Sequence, residues 1–196
     1  MKKISILLVA FAVLSYLFVS CDEQNMDTFG SNYVYLTKDT SLVKLADTLS
    51  MQAGEVQSKD STVKVIGVYR SGVSVSYPAM TVRLKVDEAY VDSMLAIYND
   101  ASISLSEKSD KVLYFKNTVA LPSDCYTLTE EVTVGKGSLY AAVPVQLNLK
   151  NMAKLDLKKY YVIPITLESC SRDTILQTKR TTILKVLPMF KYKTIN

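Results

Sequence analysis

The chain has 196 residues, 48% of them hydrophobic and 21% charged, with a formal net charge of +4, the composition of an ordinary one-domain globular protein. It contains no histidine and no tryptophan. A Ser-His-Asp triad, a Cys-His pair, a His-ligated zinc or haem and a tryptophan platform for sugar rings are therefore all excluded.

The first element in chain order is an export signal. Lys2 and Lys3 precede an almost unbroken apolar run from Ile4 to Val19, followed by Ser20 and Cys21. The run is short for crossing a hydrocarbon core, and a small residue followed by cysteine marks a processing site. Leu17 to Cys21 resembles a bacterial lipobox, with Val19 and Ser20 standing where small residues are usual. Residues 1–20 are read as a lipoprotein signal peptide and Cys21 as the lipidated residue; plain secretion, with Cys21 an ordinary thiol, is the alternative. At roughly 0.8 kcal/mol per buried CH₂, more than one acyl chain gives stable anchoring. Removing the segment takes the apolar share from 48% to about 45% and, with both lysines gone, lowers the net charge by two. Such a charge, without a Lys/Arg stripe interleaved with aromatics, excludes nucleic acid as a partner. Residues 21–32 form the lipidated N-terminus and a tether. Its acidic start, Asp22-Glu23-Gln24-Asn25-Met26-Asp27, resembles the sequence that sends Bacteroidetes lipoproteins to the outer surface. The expected location is the outer membrane, lipid-anchored and facing outward.

From Tyr33 the dominant period is two, the signature of half-buried strands. Met80, Val82, Leu84 and Val86 alternate with Thr81, Arg83 and Lys85, and Leu139, Ala141, Val143, Val145, Leu147 and Leu149 alternate with Tyr140, Ala142, Pro144, Gln146 and Asn148. Further strands are expected at 33–36, 43–49, 62–69, 112–115, 128–134, 160–167 and 181–187. Gly135-Lys136-Gly137 reads as a hairpin loop. Pro144 and Pro164 lie inside otherwise clean strands, so each is expected on an edge or at a bulge. One segment departs from this period. Val91, Met94, Leu95 and Tyr98 are spaced for one helix face, with Asp87 as N-cap, and predict a helix over 88–98. A weaker helical turn is expected over 151–155. Short strands with spaced turns and one short helical crossover predict an all-β, immunoglobulin-like antiparallel β-sandwich over 33–187, with 188–196 as a C-terminal tail.

Cys125 and Cys170 are the candidate disulfide pair of an exported chain. Their spacing does not fix the distance between them, and two free or buried thiols are the favoured reading.

Several short motifs recur in a familiar order: Val86-Asp87-Glu88-Ala89-Tyr90-Val91, Tyr98-Asn99, Leu121-Pro122-Ser123-Asp124-Cys125-Tyr126-Thr127-Leu128, Ala141-Ala142-Val143-Pro144-Val145 and Tyr160-Tyr161-Val162-Ile163-Pro164-Ile165. Together they resemble the Bacteroidetes lipoprotein domain of unknown function 1735, found at the N-terminus of surface glycan-processing proteins. The resemblance covers roughly residues 33–187. It implies an immunoglobulin-like sandwich that often precedes a catalytic or carbohydrate-binding domain; it supplies no catalytic or ligand residues to map. The chain ends eight residues after Pro188, so no such second domain is expected.

Paired carboxylates are the remaining acid/base apparatus. Glu130 and Glu131 would point to opposite faces of a strand, and Asp87-Glu88 is explained by helix capping. No Gly-x-Ser-x-Gly elbow and no phosphate-cradling glycine loop is present. The expectation is a protein that is not an enzyme, with no cofactor and no metal. Tyrosine is in excess, with 13 residues. A tyrosine ring stacks on a sugar face while its hydroxyl hydrogen-bonds, and Tyr77, Tyr140 and Tyr160, on polar phases or in loops, are the candidate ligand residues. High strand propensity is the structural alternative for the same residues. The expected function is an accessory or binding component of glycan capture, with glycan or other envelope proteins as partners. The alternative is a structural or adhesive subunit of a fimbria-like assembly, recruiting other chains through exposed strand edges.

Overall fold

The computed structural model describes residues 32–37, 40–57, 61–72 and 77–195. The signal segment, Cys21 and the acidic tether lie outside them. Tyr33–Asn196 forms one compact unit.

Among the described residues, fourteen strands build three sheets. The first has five strands in the order β12-β1-β5-β10-β8: Thr174–Ile175, Tyr33–Leu36, Ser61–Arg70, Tyr140–Asn148 and Tyr126–Leu128. The second runs β2-β13-β11-β6-β9: Thr40–Leu45, Thr181–Pro188, Tyr160–Cys170, Met80–Val86 and Glu131–Val134, with β7 (Thr118–Ala120) also on β11. A small third sheet joins β14 (Lys191–Thr194), β3 (Thr48–Gln52) and β4 (Glu55–Val56). The two large sheets pack as a β-sandwich of immunoglobulin-like plan. The first strand is divided between them: β1 pairs antiparallel with β5 in one sheet, while β2 runs parallel to β13 in the other.

The inner faces follow the period of two. Val143, Val145 and Leu147 of β10 meet Ile163, Ile165 and Leu167 of β11 in one core, and all six are fully buried. Each such side chain contributes about 1.5–3 kcal/mol relative to exposure. The helix begins where the sequence places it. α1 spans Glu88–Asn99, and the Asp87 carboxylate accepts the Tyr90 N–H at 3.3 Å. Its C-terminus is held by a residue remote in sequence: the Lys108 ammonium donates to the Tyr98 and Asp100 carbonyls, a cation at the negative end of the helix.

Six expectations change. Residues 112–115, expected as a strand, fall in and after a single helical turn, α2 (Asp110–Leu113), which Ser109 caps. This turn drops Phe115, fully buried, onto Val91 of α1 and onto Val162 and Ile183, on the outer face of the second sheet. The expected strand over 43–49 is two strands, broken at Ala46-Asp47, and that over 128–134 is also two. The helical turn expected over 151–155 lies slightly earlier, as α3 (Leu149–Met152). The C-terminal tail is β14, paired in parallel with β3. Neither proline is on an edge strand. Pro144 in β10 lies just beyond the residues that β8 pairs, 145–147. Pro164 in β11 sits where the neighbour changes from β7, which pairs 160–162, to β6, which pairs from Ile165. Its carbonyl accepts the Asp87 N–H at 3.0 Å. Because an extended residue turns its nitrogen and carbonyl to the same side, the missing N–H faces this gap in the ladder.

Candidate functional site

The outer face of the first sheet carries a row of tyrosines. Tyr69 in β5 pairs across to Tyr35 in β1 and to Tyr140 in β10. The Tyr35 and Tyr69 rings stack with centroids 6.0 Å apart, and Tyr140 lies tilted against Tyr69 at 4.8 Å. Gly67 is the reason the rings can lie down on the sheet. A Cβ at Gly67 would stand 2.6 Å from the Thr37 hydroxyl, 2.8 Å from the Tyr69 ring and 2.9 Å from the Tyr140 ring. The surrounding outward positions are apolar or neutral. Val65 is 60% exposed, Val63 47% and Tyr140 41%, and no charged residue shares the outward phase of β1, β5 or β10. Among the described residues two cations border the row: the Lys179 ammonium lies 5.2 Å from the Tyr35 ring, and Lys64 lines the cleft beside Tyr69 and Tyr140. Beside the row, Gly67, Tyr69 and Tyr140 line a cleft of about 200 Å³ that reaches Val43 and Leu184 of the second sheet. Contiguous exposed apolar surface of this kind marks an interaction surface more often than a passive one.

Tyr77 has a structural role. Its ring covers the Arg70 guanidinium at 4.1 Å. Arg70 is buried and forms a two-pronged ion pair with Asp173, Nε to Oδ2 at 2.5 Å and Nη2 to Oδ1 at 2.9 Å, while Nη1 donates to the Pro78 carbonyl at 2.9 Å. With the charge paired and the planar group stacked, Tyr77 completes the seal over a buried ion pair.

Tyr160 belongs to a third place, on the opposite sheet. Its ring lies 4.4 Å from the ammonium of Lys185, and the Tyr114 ring lies at the same distance on another side. Lys185 is only 6% exposed, and its Nζ donates to the Tyr114 carbonyl. Burial pushes its pKa below the usual lysine value. These residues, with Leu42, Lys116 and Asn117, line a cavity of about 380 Å³. The three candidate tyrosines are therefore not brought together: Tyr140 joins the row, Tyr77 seals an ion pair, and Tyr160 flanks a buried lysine. Tyr35 and Tyr69, which complete the row, were not among the sequence candidates. The signal was available, since both share the outward phase of their strands with Tyr33 and Val65.

The remaining chemistry is sparse. Glu131 forms a solvent-exposed pair with Arg83 at 3.8 Å, and Asp87 caps α1. Among the described residues, no group of three His, Cys, Asp or Glu side chains is placed to hold a metal, and no helix is long and apolar enough to cross a membrane. The candidate Cys125–Cys170 disulfide is not formed, and both thiols are free. Burial raises the Tyr161 pKa at the start of β11, with a small contribution from nearby Cys125, whereas Cys170 ends the same strand. Nine residues of extended chain span about 30 Å, far beyond disulfide reach. Burial and the neighbouring Asp124 push the Cys125 thiol up to about 11.

Residues 29–174 match the family model of a "-like, N-terminal domain". The chain belongs to this family of N-terminal domains. The resemblance to domain of unknown function 1735 drawn from the motifs holds. No curated protein matches the sequence. Solved structures with the same fold come from Bacteroides. A protein of unknown function from Bacteroides ovatus superposes with a TM-score of 0.56 at 20% identity, covering 83% of this chain and 52% of that one. A "putative carbohydrate binding protein" from Bacteroides ovatus gives 0.53 at 16% identity, covering 79% and 36%. Bacteroides thetaiotamicron EndoBT-3987, with a Man5GlcNAc product, gives 0.50 at 19% identity, covering 80% and 31%. At these identities the likeness is one of fold. The chain spans about a third to a half of the length of these structures, as an N-terminal domain does.

Proposed function

We propose that this N-terminal-domain protein is a non-catalytic, lipid-anchored component of the cell envelope that captures glycan on its tyrosine row. The observation that carries this reading is the Tyr35–Tyr69–Tyr140 row itself, laid over Gly67 on a sheet face that none of the described α-helices covers. Sugar rings present flat C–H faces and a rim of hydroxyls, which neutral aromatic rings with phenolic oxygens match without a charged partner. The similar structure described as a "putative carbohydrate binding protein" supports the same reading. In this reading Cys21 carries the lipid, the acidic tether holds the domain outside the outer membrane, and the cleft beside Tyr140 receives a substituent of the bound chain.

Affinity electrophoresis of the protein from Asp22 onward, through gels containing soluble polysaccharides, tests the binding. Retardation by at least one neutral polysaccharide, lost on Tyr69→Ala, supports the proposal; unretarded migration across the panel refutes it. Palmitate labelling tests the anchor, with incorporation abolished by Cys21→Ala. A fimbria-like assembly role is favoured by one feature, the six-residue edge strand β2. The edges of the first sheet offer little, since β12 has two residues and β8 three. Concentration-dependent self-association without glycan retardation would favour assembly.

A further inference from the structure

The cavity at Lys185 combines features that a purely structural lysine does not need. The outward residues next to Lys185 that α1 and α2 cover, Val162 and Ile183, are apolar. At the next outward position of β13 the sequence places an ammonium instead and buries nine-tenths of it. An aliphatic residue would fill the same space without the cost of desolvating a charge. Among the described residues no carboxylate forms an ion pair with Lys185, and none lines the cavity. Its neighbours are the faces of Tyr114 and Tyr160 and the Tyr114 carbonyl, which engage the ammonium without neutralising it.

The rim of the cavity supplies further donors. Asn117 has a left-handed backbone, φ 52°, which turns the chain from Phe115 into β7. Its carbonyl accepts the Tyr160 N–H at 3.1 Å, fixing the turn against the start of β11. The exposed Lys116 stands beside it, so among the described residues the cavity is lined by two ammonium groups and one amide and by no acid. Its volume of about 380 Å³ admits one ring of monosaccharide size, and Leu42 gives it an apolar wall.

We propose that this cavity is a second ligand site, separate from the tyrosine row, that binds a carboxylate carried on a ring of monosaccharide size. The carboxylate supplies the counter-ion that Lys185 lacks, accepting from its Nζ as a charge-assisted hydrogen bond. Lys116 adds long-range attraction, the Asn117 amide donates to a ring oxygen, and the Tyr160 ring covers one face. The site stands whether or not the tyrosine row binds glycan.

Calorimetric titration of the full-length chain in detergent, with D-glucuronate and D-glucose as probes, tests the proposal. Glucuronate is expected to bind and glucose not. Lys185→Met, which keeps the stem and removes the charge, should weaken glucuronate binding at least about tenfold. Lys116→Gln, an exposed change that leaves the fold untouched, should weaken it about two- to fivefold and covers the case in which the buried substitution unfolds the domain. Tyr140→Ala should leave it unchanged, which separates this site from the tyrosine row. Absence of glucuronate binding, equal binding of glucose, or unaltered affinity in folded Lys185→Met or in Lys116→Gln would each overturn the proposal.

Discussion

The two large sheets turn opposite kinds of outer face to their surroundings. β10 alternates along its whole length between buried and more exposed positions, and its outward residues leave the first sheet bare. β11 is buried without interruption from Tyr161 to Leu167, because α1, α2 and Phe115 cover the back of the second sheet. The bare face displays neutral tyrosines; the covered face hides a cation. Coverage thus decides what each sheet can do. An open face can offer a broad aromatic platform for an extended ligand, whereas the covered face leaves a shallow cavity at its margin, of a size for one ring, with a buried charge at its base.

Substitutions on the two faces should separate them. The largest effects belong to buried groups. Asp173→Ala strands the Arg70 charge beneath Tyr77 at the end of the first sheet, and a loss of about 3–5 kcal/mol is expected from denaturant unfolding. Phe115→Ala empties the center of the covered face and should cost about 3–5 kcal/mol by the same measurement. Tyr140→Ala on the bare face removes one aromatic pair and should cost about 0.5–1.5 kcal/mol, while abolishing or strongly reducing polysaccharide retardation. A loss as large as that of Phe115→Ala would show that the row is a structural element and erase the contrast.

Two smaller effects sharpen it. The Lys185 pKa is lowered in the folded state by burial, so the unfolded chain holds the proton to higher pH. Between the folded and unfolded values the unfolded state binds more protons, and the stability contribution of this residue therefore rises with pH. Unfolding midpoints measured as alkaline pH approaches the ordinary lysine value should show this rise in the parent protein and not in Lys185→Met. The cysteines differ in the same manner as the faces. Cys125, 1% exposed with its thiol pushed up to about 11, should resist maleimide in the native state, while the partly exposed Cys170 reacts.

Much of this arrangement is legible in the residues. Strict alternation from Leu139 to Leu149 marks a strand with one open face, and the spacing of Val91, Met94, Leu95 and Tyr98 marks the helix together with its Asp87 cap. The run Tyr161-Val162-Ile163-Pro164-Ile165 also carries its message, since a strand apolar at consecutive positions is covered on both sides. The helical turn at 110–113 was not legible as such. Val112 to Phe115 has strand-like composition, and Ser109 with Asp110 supplies a cap whose effect depends on Phe115 finding the sheet. The tyrosine row depends on register between β1, β5 and β10, which no local pattern encodes. The Lys185 cavity depends on Tyr114 and Tyr160, 46 positions apart in sequence, meeting across one side chain. Pro164 likewise reads as an edge residue until the change of neighbour from β7 to β6 is known.

The central claim is that the bare sheet binds glycan through Tyr35, Tyr69 and Tyr140. Calorimetric titration of a retarding neutral polysaccharide into the parent protein and into Tyr69→Ala/Tyr140→Ala, with unfolding midpoints recorded for both, tests it most directly. The account predicts saturable heat for the parent, none for a folded double variant, and no product released from the polysaccharide. Equal binding by the folded double variant, or cleavage of the polysaccharide by the parent, would contradict it.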